Sequence, residues 1–217
     1  MDATERTSMT VMSLNRKSLS AATKTLAARD KDLAAILMRY GTPPLWARKP
    51  DFSTLIQIVL EQQVSLTSAA SMFRRLSTNV VPLTPERFAE LGEHYLRSLG
   101  VTRQKAAYCL HVARAIAEGG LGSASLARMS DEDARAELMR VKGIGPWSAD
   151  IYLLMALKRP DIWPVGDVAL VTAIKEVKKL NSRPSLDEFI KLAEPWRPFR
   201  AVAARMLWQY YLAQRNR

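Results

Sequence analysis

The segment "LMRVKGIGPWSAD", residues 138–150, sets Gly143 and Gly145 one residue apart, with Lys142 before them and Pro146 and Trp147 after. Glycine inside a helix costs about 1 kcal/mol and proline about 3, so this stretch predicts a turn between two helices. A turn stripped of side chains lets another molecule approach the backbone. Its N–H groups, and those opening the next helix, then face outward with the positive end of the helix dipole behind them. Lys142, Gly143, Gly145, Trp147 and Ser148 thus form a candidate phosphate site, against the alternative of a plain interhelical turn. A dinucleotide fingerprint is excluded, because no strand precedes the turn and no third glycine follows. A second loop, "DIWPVGD" at 161–167, ends on Asp167 just ahead of the apolar run "VALVTAI". The helix start it predicts there favours an ionised carboxylate, although aspartate is also an ordinary N-cap. Asp150, within the helix after the hairpin, and Asp161, expected to be solvated in its loop, are the competing carboxylates.

The bulk composition narrows what such residues could serve. Among 217 residues, 32 Lys and Arg against 21 Asp and Glu give a formal charge of +11, and 48% of residues are hydrophobic. A polyanion is the leading partner, nucleic acid above all. No long basic amphipathic helix and no apolar run long enough for a membrane span is present, so no membrane association is expected. The single cysteine, Cys109, cannot supply the four thiolates of an iron–sulfur cluster, and two histidines make a structural zinc site improbable. Residues 1–17 read as a flexible polar tail without the apolar core of a secretory signal, and the protein as an intracellular monomer.

Helical signals dominate the elements that must position these residues. Residues 20–40 predict an amphipathic helix ending at Gly41, followed by a rigid connector, "TPPLWARKP". Residues 51–76 predict one helix of about seven turns. Thr102 predicts an N-cap, Gly119 and Gly120 a C-cap, Ser130 a capping pattern with Asp133, and Pro146 a first helical residue. Pro195 is expected to open the last helix, in which Phe199, Val202, Met206 and Tyr210 recur at helical spacing.

The hairpin, the loop aspartate and the segments "VLEQQVSLTSAA", "VTRQKAAYCLHVARA" and "EPWRPFRAVAARMLW" together resemble the helix-hairpin-helix (HhH-GPD) DNA glycosylase superfamily, over roughly residues 20–213. The 3-methyladenine DNA glycosylase II group is the most similar branch. The resemblance implies an all-α, two-lobed fold with the active site in the cleft between lobes. Lobe one would span about 46–158, and lobe two about 18–45 plus 159–217. It implies a monofunctional enzyme releasing alkylated purines such as 3-methyladenine from duplex DNA, with Asp167 catalytic. Members that also cut the backbone carry a lysine two residues past the second hairpin glycine, where this chain has Trp147. Trp208, Trp147 and Ile151 would line the base pocket, Ile151 standing where relatives put a tyrosine. Gln63, flanked by Gln62, would fill the gap left by the extruded base. Main-chain carbonyls of Met139, Val141 and Ile144 would hold a structural Na+ or K+, with no other cofactor required. The alternatives are a non-catalytic hairpin that only binds DNA, and a glycosylase for deaminated or ethenylated bases.

Overall fold

Thirteen α-helices carry the chain from Arg16 to Arg215, and no strand occurs among the described residues, 13–215, of this computed structural model. In order they are α1 (Arg16–Arg29), α2 (Lys31–Tyr40), α3 (Phe52–Glu61), α4 (Leu66–Asn79), α5 (Pro85–Ala89), α6 (Glu93–Ser98) and α7 (Arg103–Ala117). There follow α8 (Ser123–Arg128), α9 (Asp131–Met139), α10 (Pro146–Met155), α11 (Val168–Val177), α12 (Leu186–Ala193) and α13 (Arg200–Arg215). Side-chain N-caps set most of the starts, among them Thr102 accepting from Lys105 N–H and Ser130 accepting from Asp133 N–H. Gly41 and Gly119 close their helices with positive φ, as expected.

The strongest packing falls into two groups. Helices α1, α2, α11 and α13 pack together, while α3 packs on α4, α7 and α10, α7 on α5 and α6, and α9 on α10. One apolar cluster runs through both groups, from Leu26 and Leu33 through Leu60 and Leu153 to Met206. Backbone and guanidinium bonds stitch the groups where they meet. Leu14 N–H donates to Lys158 O at 2.8 Å, and the fully buried Arg205 donates to Leu154 O at 2.7 Å.

Four expectations about the elements are corrected. The helix over 20–40 is two helices, because Asp30 ends α1 in extended backbone while its Oδ1 accepts from the N–H groups of Asp32 and Leu33. Its Oδ2 accepts from Lys178 Nζ and Trp196 Nε1 at 2.8 and 2.9 Å, so a long-range polar knot outweighs the local periodicity. The helix over 51–76 breaks at 62–65, where Gln62 is extended, Gln63 has φ 55° and Ser65 caps α4. The last helix begins at Arg200, and Pro195 sits in a short 3-10 turn over Glu194–Trp196. The fold also reaches further back than a tail ending at residue 17. Leu14 is buried, Ser13 Oγ donates to Leu157 O, and Asn15 caps α1. Residues 1–12 of the expected tail lie outside the described residues.

Candidate active site

Asp167 lies at the junction of three helices. Gly166, at φ 83°, turns the loop so that Asp167 becomes the N-cap of α11. Its Oδ1 accepts from Leu170 N–H at 2.9 Å and from Trp208 Nε1 of α13 at 3.2 Å. Its Oδ2 accepts from Trp147 Nε1, in the first turn of α10, at 2.9 Å. The residue is only 8% exposed. Capping does not use up the carboxylate, since one oxygen caps α11 while both are aimed by indole N–H groups. All three donors are neutral, so they orient the charge without cancelling it, and Oδ2 retains a lone pair for a further contact.

The competing aspartates are neutralised. Asp161 is not left to solvent: it accepts from Arg197 Nη1 at 2.9 Å and Arg200 Nε at 3.0 Å, pinning the loop to the start of α13. Asp150, 3% exposed, meets Arg135 of α9 at 2.8 Å and accepts from Arg135 Nη2 at 3.1 Å. Burial pushes its carboxyl up from 3.8 to about 6, against the pull of Arg135 and a hydrogen bond from Val165 N–H. The folded state thus holds this proton more tightly than the unfolded chain does. Its stabilising contribution is complete below pH 3.8 and is lost as pH rises through about 6. A gap of that size corresponds to about 3 kcal/mol. Denaturant titrations from pH 4 to pH 7 are expected to show Asp150→Asn losing this dependence, so that the difference in unfolding free energy between variant and wild type changes by about 2–3 kcal/mol across the window. A constant difference would show that Asp150 does not carry it.

The hairpin is built on one obligatory glycine. Gly143 has φ 104°, and a Cβ there would lie 2.5 Å from Cβ of Tyr108, whose ring backs the turn from α7. Gly145 is not obligatory in the same sense: its φ is −90°, and a Cβ would meet nothing within 4 Å. Its outer face is open. Gly145 is the N-cap of α10 with no side-chain cap bond, in a protein where most helix starts have one. Lys142 is exposed beside it, while Ser148 is 2% exposed.

The two glutamines of "EQQVS" separate. Gln62 turns inward, its Nε2 donating to Gly143 O at 2.9 Å and to Ser148 Oγ at 2.8 Å. Its amide, like the Ser148 hydroxyl, is engaged in tying the α3–α4 turn to the hairpin rather than facing a ligand. Gln63 is exposed, next to exposed Val64 and Leu66. Lys105 Nζ, 2.6 Å from Leu60 O, holds the end of α3 below this turn. Of the base-pocket candidates, Trp208, 8% exposed, and Ile151, 2% exposed, both belong to the apolar core, and half-buried Trp147 packs against it. A third indole, unmarked by any sequence periodicity, stands with them: Trp46, half-buried, is edge-on to Trp208 at 6.3 Å between ring centroids and 73° between planes. Two open hollows, of about 600 Å³ by Arg97 and Arg103 and about 590 Å³ by Lys178 and Lys191, are lined by none of these residues. Neither hollow brings together a second cluster of candidate residues.

Residues 56–198 match the HhH-GPD superfamily of base excision DNA repair proteins. A putative DNA-3-methyladenine glycosylase of Bacillus subtilis is 31% identical over 186 residues, 82% of this chain and 64% of that relative. The chain thus spans just under two thirds of that relative's length. Among solved structures, a DNA-3-methyladenine glycosidase of Bacillus halodurans has a TM-score of 0.75 at 27% identity, covering 89% of this chain and 91% of that one. A Schizosaccharomyces pombe 3-methyladenine DNA glycosylase in complex with abasic DNA shares the fold, with a TM-score of 0.79 at 24% identity over 87% of this chain and 95% of that one.

Proposed function

Because the chain belongs to the HhH-GPD superfamily of base excision DNA repair proteins, we propose that it is a monofunctional DNA N-glycosylase, hydrolysing the N-glycosidic bond of alkylated purines such as 3-methyladenine in duplex DNA. The observation that carries this reading is the Asp167 carboxylate, oriented by two indole N–H groups and cancelled by no arginine. Departure of the base builds positive charge on the sugar, and a fixed anion beside C1′ stabilises that transition state. Oδ2 can also align the attacking water. An alkylated purine is a cation, so its bond to the sugar is already weakened and no strong general acid is needed.

To reach Asp167 the nucleotide leaves the stack at a cost of a few kcal/mol. Gln63 fills the gap in this reading, its left-handed backbone projecting the amide and the exposed Val64 and Leu66 giving it an apolar shoulder. In this reading the base is received where the two helix groups meet, at the convergence of Asp167, Trp147 and Trp208. The hairpin grips the strand through the open backbone at Gly145, the uncapped N–H groups of Trp147 and Ser148, and the charge of Lys142. Carbonyls of Met139, Val141 and Ile144 would hold a monovalent cation there. Val141 O is already fixed by the Ile144 N–H at 3.0 Å and keeps a second lone pair, and such an ion would offset phosphate charge. The protein acts as a monomer on DNA, and among the described residues no helix is long and apolar enough to cross a membrane.

Trp147 stands at the position of the lyase lysine, and an indole forms no Schiff base. Methylated duplex DNA incubated with the protein is therefore expected to release free 3-methyladenine and to yield abasic sites that break only on later alkali treatment, with no borohydride-trapped adduct. A trapped adduct would overturn the monofunctional assignment. Binding without base release would leave a hairpin that only anchors DNA, and release of hypoxanthine or ethenoadenine in place of alkylated purines would reassign the lesion.

A further inference from the structure

The connector between α2 and α3 is fastened to α13 and α10, which carry Trp208 and Trp147, and to the end of α3. Before Trp46, Leu45 O accepts from Arg205 Nε at 2.9 Å, and Arg205 lies on α13 with Trp208. After Trp46, the Arg48 N–H donates to Met155 O at 3.0 Å, at the end of the helix that begins with Trp147. The Arg48 guanidinium also grips both oxygens of Glu61, at 3.0 and 2.8 Å, beside Gln62 at the end of α3. Between these anchors Trp46 is held at φ 44°. A bulky residue in the left-handed region is strained, and glycine or asparagine would suit the backbone better. Strain of this kind, over-determined from both sides, gathers where a side chain has a task. The ring of Trp46 meets that of Trp208, whose N–H aims Asp167, edge to face at 73°, and it remains half-open.

We propose that Trp46 is a specificity-determining wall of the base site, receiving on its face the N-alkyl edge of a cationic purine that is stacked on Trp208. The perpendicular arrangement has this chemical consequence: a purine parallel to one indole presents its rim to the face of the other. On an alkylated purine that rim carries positive charge, spread over the alkyl hydrogens, and an indole face attracts it more strongly than a phenyl face does. The proposal rests on the glycosylase reading above.

Trp46→Phe and Trp46→Leu separate aromaticity from bulk. In single-turnover release of alkylated purines, the rates are expected to fall in the order Trp, Phe, Leu. The leucine variant should lie about ten times below wild type, within the two- to thirtyfold that a cation–aromatic contact supplies at about 25 °C. Affinity for a duplex carrying a tetrahydrofuran abasic analogue, which has no base to recognise, is expected to stay unchanged in both variants. Equal rates for the phenylalanine and leucine variants, wild-type rates in both, or a parallel loss of abasic-DNA binding would each overturn the proposal. Should leucine prevent folding, the phenylalanine variant decides alone, because a rate equal to wild type sinks the assignment. A wild-type protein that releases no base at all removes the glycosylase reading and this one with it, whereas an active wild type with indifferent variants removes only this one.

Discussion

Asp167→Asn is expected to lower single-turnover release of 3-methyladenine by about 10²–10⁴-fold, or roughly 3–5 kcal/mol of barrier, while DNA binding persists. The substitution removes the charge and leaves the shape. Asparagine is as good an N-cap as aspartate, so its Oδ1 can still accept from Leu170 N–H and Trp208 Nε1. The amide nitrogen then replaces Oδ2 and faces Trp147 Nε1, donor against donor, where the carboxylate has a bond of 2.9 Å. That mismatch is local and costs about 1–3 kcal/mol of stability, visible in a thermal melt but small beside the kinetic loss. Affinity for abasic-analogue DNA should be retained, because the hairpin and the Gln63 turn are untouched. An asparagine variant that excises alkyladenine at the wild-type rate would show that this carboxylate does not stabilise the departing sugar.

The sequence makes the carboxylate and the hairpin visible for a shared reason: both depend on local chemistry. Glycine spacing, a proline at the first helical position and an aspartate ahead of an apolar run are signals a few residues long, and Pro146 and Asp167 take up those positions. What stays illegible depends on partners far along the chain. The break at Asp30 is held by Lys178 and Trp196, and the inward turn of Gln62 by Gly143 and Ser148. Hydrophobic periodicity reads burial, so it runs straight through residues 62–65 where a left-handed glutamine bends the chain. Trp46 escapes for the same reason. It lies in a connector with no period, and its place beside Trp208 is fixed by Arg205 and Arg48, neither of which signals a long-range contact by type or spacing. Asp161 escapes in the same way, a loop carboxylate that looks solvated until Arg197 and Arg200, around the start of α13 far along the chain, close on it.

The two hairpin glycines are expected to fail in different ways. Gly143→Ala places a Cβ 2.5 Å from that of Tyr108 in a backbone at φ 104°. The tyrosine Cβ cannot swing aside, so the cost combines left-handed strain with overpacking, about 3 kcal/mol or more. For a chain of this size that lowers the melting temperature by about 10 °C, and DNA binding falls because the turn itself is displaced. Gly145→Ala meets no atom within 4 Å and sits at φ −90°, a conformation alanine adopts freely. Its stability should stay within about 1 kcal/mol of wild type, the difference between glycine and alanine at an N-cap. Its affinity for duplex DNA should nevertheless drop about tenfold, since the added methyl occupies the surface on which a phosphate must close to hydrogen-bond distance of the N–H groups. Thermal melts and abasic-DNA titrations of the two variants test both halves. A stable Gly145→Ala protein that binds as wild type would move the strand contact away from this face of the turn, and a Gly143→Ala protein with an unchanged melting temperature would show that α7 yields where its contact with the hairpin looks rigid.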